Sequence, residues 1–253
     1  VKLYFAGLTL PTWERNKRLS PSILLSYVEK NKILRFFEKT KEKIFLDSGA
    51  FTAFNSGKEI NIDEYADFIK KHRARLDVAA TLDSIGDYQK TAENTSSLEK
   101  KGCEVLPVFH FGSPLSELER LVRKYDYIAL GGLVPLALRV KRLRGWLDLC
   151  FSKIGGKVRV HGFGINAFWA WRRYPFYSVD ATSWVQWGAF KRAVVFEGLL
   201  RGFRIVSKAD RELKSMICYD DSGESLEDFN IASYHKAAGA ITELWEKKGI
   251  KWP

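Results

Sequence analysis

Cysteine is scarce in this 253-residue chain, with only Cys103, Cys150 and Cys218, each far from the others. So sparse and odd a set argues against a disulfide scaffold and fits a reducing compartment, the cytoplasm. No CxxC or HxxxH spacing occurs, so no zinc is expected to be bound. Nor does any apolar run approach the ~18 residues that a membrane span requires. The opening VKLYFAGLTL lacks the basic start and small-residue cleavage site of a secretory signal, and reads as a strand. No low-complexity linker or composition shift divides the chain, and a single domain over 1–253 is expected.

What is present is an ordinary globular balance, 46% hydrophobic and 28% charged. The charge is lopsided: 41 Lys and Arg stand against 30 acidic residues, for a formal net charge of +11. Cationic surface releases counterions from a phosphate backbone, so a polyanionic partner is favoured.

Short β-rich apolar runs alternate with longer amphipathic stretches, the pattern of βα units around a parallel sheet. Strands are expected at Lys2–Leu8, Lys43–Ser48, Leu76–Leu82, Glu104–Phe111, Tyr127–Leu130, Lys157–Gly162 and Phe176–Asp180. Helical patterns fill Pro21–Lys39, Ile62–Arg73, Gly86–Lys101, Pro114–Tyr125, Leu136–Lys153 and Asn166–Tyr174. Asn61 and Ser113 are candidate caps. An eighth strand, or a hairpin, is expected within Ala193–Val206, and a last helix near Ser225–Lys248. Length and alternation together predict an α/β fold, a (β/α)8 TIM barrel irregular at its last strand.

In such a fold, active-site residues gather where strands end. The strand ends read in order LDSGAF with Asp47, Ser48 and Gly49; TLDSIGD with Asp83; VFHFG with His110; ALGGL with Gly131, Gly132 and Leu133; VHGFG with His161; and SVDATSW with Asp180. Each has a plain alternative as a helix cap, a turn or a core histidine. Capping does not account for six consecutive strand ends carrying polar groups or glycines, and glycines let backbone approach a flat ligand. Two carboxylates about a sugar carbon can act as nucleophile and proton-transfer group. Clustered carboxylates can also cage Mg²⁺ or Ca²⁺, although no dedicated cation-loop spacing is present. Aromatic residues crowd positions 168–190, and Arg172, Arg173, Lys191 and Arg192 interleave with or follow them. Rings plus cations can hold an unstacked base and its phosphates, though most such rings are expected to pack internally. The run Arg139, Lys141, Arg142, Arg144 reads as a solvated helix face.

At these strand ends the chain resembles the tRNA-guanine transglycosylase superfamily, and most of all the phage and bacterial enzymes that insert 7-deazaguanines into DNA. The resemblance runs from about Phe45 to Phe190. LDSGAF is similar to the family's DSGG segment, which makes Asp47 a proton-transfer candidate. TLDSI looks like the segment whose Asp reads the guanine edge, here Asp83. VFHFG stands where the family shows VQGG, so His110 replaces a base-reading Gln. ALGGL resembles the segment whose backbone contacts the base, VHGFG puts His161 where a Met often lies, and SVDATSW matches the segment of the nucleophilic Asp, here Asp180. The cysteine-rich zinc segment and the added RNA-binding domain of the tRNA enzymes have no counterpart here, which favours DNA over tRNA. The resemblance implies exchange of guanine for a free 7-deazaguanine base, with no cofactor. A tRNA-directed enzyme, a carboxylate or metal-dependent hydrolase, and a non-catalytic nucleic-acid-binding barrel remain the alternatives.

Overall fold

Residues 44–46 and 128–130 are buried apolar runs that lead directly to the candidate residues Asp47 and Gly131. The computed structural model describes residues 1–57, 59–133, 136, 138–207 and 226–252. Eight parallel strands belong to one sheet flanked by helices, the α/β architecture of a (β/α)8 barrel. They are β1 (Lys2–Ala6), β2 (Ser22–Ser26), β3 (Ile44–Asp47), β4 (Leu76–Ala79), β5 (Val108–His110), β6 (Tyr127–Gly131), β7 (Arg159–Gly162) and β8 (Ser178–Ala181). A separate antiparallel pair, β9 (Arg192–Phe196) and β10 (Phe203–Ser207), follows. The helices are α1 (Leu10–Asn16), α2 (Lys30–Lys39), α3 (Ala50–Asn55), α4 (Ile62–His72), α5 (Tyr88–Lys100), α6 (Leu115–Lys124), α7 (Val140–Ile154), α8 (Phe168–Arg173), α9 (Ser183–Ala189) and α10 (Leu226–Lys247). The chain divides into two compact units, Ser22–Phe163, and Val1–Pro21 with Gly164–Pro253.

The unit Ser22–Phe163 carries β2 to β7. β2 pairs with β3, setting Ser26 opposite Asp47, and β3 pairs with β4 through a register shift at Ile44/Phe45. A single parallel bridge, Ala80 to Leu106, joins the end of β4 to the approach of β5. β5 pairs with β6 so that His110 faces Gly131, and β6 pairs with β7. Ile44, Phe45 and Leu46 of β3 are fully buried, as are Ile128, Ala129 and Leu130 of β6. Continuous apolar runs of this kind mark strands covered on both faces. α4 begins as expected, with the Asn61 side chain accepting the Asp63 and Glu64 N–H groups. α6 does not begin at Ser113: Pro114, in extended conformation, is its cap residue and makes no side-chain cap bond.

The other unit holds β1 and β8, paired in parallel with Tyr4 opposite Asp180, together with the β9–β10 hairpin and α10. Ala193 and Val206 of the hairpin form a small core with Val195, Leu226 and Phe229. Asn230 of α10 is fully buried and ties three elements: its Oδ1 accepts the Val194 N–H (2.7 Å) and its Nδ2 donates to the Trp184 carbonyl (2.9 Å).

One expectation of the element assignment needs correction. The run Pro21–Lys39 is not one helix: Ser22–Ser26 is a strand of the parallel sheet, and only Lys30–Lys39 is α-helical. The eighth parallel strand is therefore SILLS, and Ala193–Val206 forms an antiparallel hairpin, one of the two alternatives expected there. Among the described residues, no helix is long and apolar enough to cross a membrane. Cys103 and Cys150 are buried free thiols, and Cys218 lies outside the described residues.

Candidate functional site

In the unit Ser22–Phe163 the candidate residues build up from the strand ends. Asp47 is the last residue of β3, and its Oδ2 accepts the Gly49 N–H at 3.1 Å. That tight turn needs a left-handed residue at Gly49 (φ +80°), and a Cβ there would lie 2.5 Å from Ser26 Oγ and 2.7 Å from Val28 Cγ1. Only glycine fits without displacement. The turn also fixes Ser48, fully buried between Asp47 and Gly49.

Ser48 and His110 converge on Asp83. The Ser48 hydroxyl donates to Asp83 Oδ1 at 3.0 Å, and His110 Nε2 lies 2.9 Å from Asp83 Oδ2. A carboxylate only accepts, so the proton of the neutral imidazole belongs on Nε2. His110 Nδ1 is buried and has no hydrogen-bond partner among the described residues. The ring stands at the end of β5 directly against β6. A Cβ on Gly131 would meet Val108 Cγ1 at 2.7 Å and His110 Cδ2 at 3.0 Å. Gly131 thus leaves the space that lets His110 reach Asp83. Gly132 follows in left-handed conformation (φ +70°), and Leu133 is buried behind it.

His161, at the end of β7, is fully buried between two rings, with centroids 4.7 Å from Phe45 and 4.5 Å from Phe163. Tyr65 of α4 is a member that sequence reading missed. Its hydroxyl donates to the Ala80 carbonyl at 2.8 Å, just beyond β4. Burial, followed by the negative charges of Asp47 and Asp83, pushes this phenol well above its ordinary pKa. The only sign of Tyr65 in the sequence is its place on the buried face of an amphipathic helix.

In the other unit, Asp180 lies on β8, buried, and its Oδ1 accepts the Gly164 N–H at 2.8 Å. A backbone donor of this kind holds a carboxylate in one orientation without neutralising it. The four basic candidates divide. Arg172 donates to the Leu200 carbonyl (3.3 Å), and Arg173 donates to the Tyr174 hydroxyl (3.2 Å). Lys191 and Arg192 are exposed, and Arg192 stands over the Trp187 ring at 5.8 Å. As expected, most late aromatic rings pack inside: Phe168, Trp171, Tyr174, Phe176 and Trp184 are buried. Phe190 is not.

The structure therefore brings Ser48, Asp83, His110 and Gly131 into direct association, with Asp47 one turn from Ser48. Chemically, this set offers a fixed carboxylate acceptor and a histidine whose second nitrogen has no protein partner among the described residues. Among those residues, no group of three or more His, Cys, Asp or Glu is arranged to hold a metal ion. Comparison with known proteins adds nothing further: no protein-family model matches the chain, and a search of curated proteins found no significant match.

Proposed function

We propose that this protein is a transglycosylase that exchanges a guanine in DNA for a free 7-deazaguanine base, acting in the cytoplasm of a prokaryotic or virus-infected cell. The observation that carries the reading is the Ser48–Asp83–His110 association beside Gly131, a rigid acceptor set at strand ends. A fixed carboxylate is the group that reads the adjacent N–H donors of a guanine edge, and a glycine surface admits a flat ring. The motif order that resembles the transglycosylase superfamily supports the same assignment, and the net charge of +11 suits a polyanionic substrate.

In the proposed reaction the target nucleotide leaves its stack, at a cost of a few kcal/mol. Asp180 attacks the sugar C1′, the C1′–N9 bond breaks, and guanine departs with the bonding electron pair, taking a proton from the Asp47 carboxyl. The glycosyl–Asp180 ester is then attacked at C1′ by the ring nitrogen of the incoming base, which gives its proton to the Asp47 carboxylate as the ester breaks and frees the Asp180 carboxylate. Two inversions restore the original stereochemistry. Asp83 holds each base in turn, and no redox cofactor or nucleotide triphosphate enters the balance.

The test is a denaturing gel of enzyme mixed with DNA, and separately with tRNA, alongside exchange of labelled guanine. Wild type is expected to form an adduct with DNA and to label it. Asp180→Asn is expected to lose both, because an amide is a poor nucleophile toward C1′. An adduct that persists in Asp180→Asn would move the nucleophile elsewhere. Labelling of tRNA alone would replace the DNA substrate.

A further inference from the structure

The helix that leaves the strand of Asp180 ends in an exposed aromatic ring flanked by cations. β8 runs to Ala181, α9 starts at Ser183, and seven residues later the chain reaches Phe190, which is 70% exposed. Trp187 lies one turn earlier, half-buried, with the Arg192 guanidinium over its ring. Lys191 and Arg192 are both exposed, and neither forms an ion pair with another described residue. Lys191 adopts the left-handed conformation (φ +55°), its N–H donating to the Gly188 carbonyl (2.9 Å) as α9 terminates. Glycine would occupy that position without strain, so the chain keeps a cation where a smaller residue costs less.

A lone exposed ring is too small for a stable protein–protein interface, which needs a contiguous buried core. Ring plus cations is the combination that holds an unpaired polynucleotide: a base stacks on the aromatic face and its phosphates meet the positive charges. The charge of the chain complements that ligand. Position sets the register. A seven-residue helix is about 10 Å long, close to three stacked nucleotides at ~3.4 Å each.

We infer that Trp187, Phe190, Lys191 and Arg192 form a subsite for unpaired DNA flanking the nucleotide on which Asp180 acts, with Phe190 stacking against a neighbouring base. This rests on the base-exchange reading for its register, but not for the binding itself. A duplex lacks exposed base faces, so the subsite selects single-stranded or locally opened DNA.

The experiment measures binding of the full chain, by fluorescence anisotropy, to a labelled single-stranded DNA, its duplex, and the RNA of the same sequence. It is run on wild type, Phe190→Ala, Phe190→Trp, Lys191→Gly and Asp180→Asn. Wild type is expected to prefer the single DNA strand. Phe190→Ala should weaken that binding about 5- to 150-fold, the range for one lost base–aromatic stack, and leave duplex binding little changed. Phe190→Trp should restore it, which separates stacking from misfolding. Lys191→Gly should weaken binding and flatten its salt dependence, since one phosphate contact is lost. In Asp180→Asn, which cannot form the glycosyl ester, Phe190→Ala should weaken single-strand binding by the same factor, so failure of the base-exchange reading leaves the subsite standing. Unchanged single-strand affinity in Phe190→Ala overturns the subsite even where base exchange is observed. So does a wild-type preference for duplex or for RNA, or a change in oligomeric state on removing the ring.

Discussion

Asp83 is held from two sides, by a hydroxyl on Oδ1 and an imidazole on Oδ2. Both donors come from neighbouring strand ends, so the carboxylate is oriented before any ligand arrives, the condition for reading a base edge at low entropic cost. The arrangement also dictates the histidine tautomer. His110 is expected to carry its proton on Nε2, visible as a characteristic pair of ring nitrogen shifts in long-range proton–nitrogen NMR spectra. Asp83→Asn should remove this preference, because the amide can offer either a donor or an acceptor to the ring. The same variant should raise the dissociation constant for guanine roughly 5- to 150-fold, the equivalent of ~1–3 kcal/mol for a buried donor left unpaired. Competition binding with the free base checks it. A wild-type ring with its proton on Nδ1 would mean that Asp83 is not the acceptor.

At the scale of the element, the strand ends work because neighbouring strands are in the right register. His110 faces Gly131 across β5 and β6, and a methyl group at 131 would press on the His110 ring and on Val108. Gly131→Ala is expected to cost ~1–3 kcal/mol, as overpacking of a close-fitted interior does, and to disturb the His110 nitrogen shifts. Thermal melting and the same NMR spectrum test both halves, and an unchanged spectrum would show that the ring can yield. Seven strands were readable because buried parallel strands appear as apolar runs bounded by turns. The strand SILLS was not, because Ile23, Leu24, Leu25 and Tyr27 run into the apolar positions Ile33 and Phe36 of α2 with no glycine or proline between them. Periodicity alone does not separate a short buried strand from the helix that follows it. The candidate residues at strand ends were legible as residue types. Their associations were not: Ser48 and Asp83 are 35 positions apart, and only the pairing of strands makes them neighbours.

For the molecule as a whole, burial holds several acids in their neutral form. Tyr65 is held well above its ordinary pKa by burial and then by the charges of Asp47 and Asp83. Burial pushes Tyr234 up to about 12, against a smaller opposing effect of its bond with Ser183, and pushes the Cys150 thiol up to about 12. Each group keeps its proton in the folded state to a higher pH than in the unfolded chain. Between the two values the unfolded state binds fewer protons, so stability falls as pH rises. This stabilisation is therefore complete below about pH 9, the ordinary range of a thiol, and is lost as pH climbs toward 12. For Tyr234 the loss would be on the order of 2–3 kcal/mol across its range, from the free-energy equivalent of a pKa difference. The expected outcome is a steep alkaline decline in urea midpoints above about pH 9. Tyr234→Phe should reduce that slope above about pH 10 while costing ~1 kcal/mol at neutral pH, where the bond to Ser183 is lost. An alkaline limb identical in Tyr234→Phe and wild type would mean that the Tyr234 phenol ionises without opening the fold. Loss of the pH-dependent slope in the variant would tie the alkaline limit to the packing of α10, which carries Tyr234, rather than to surface charge.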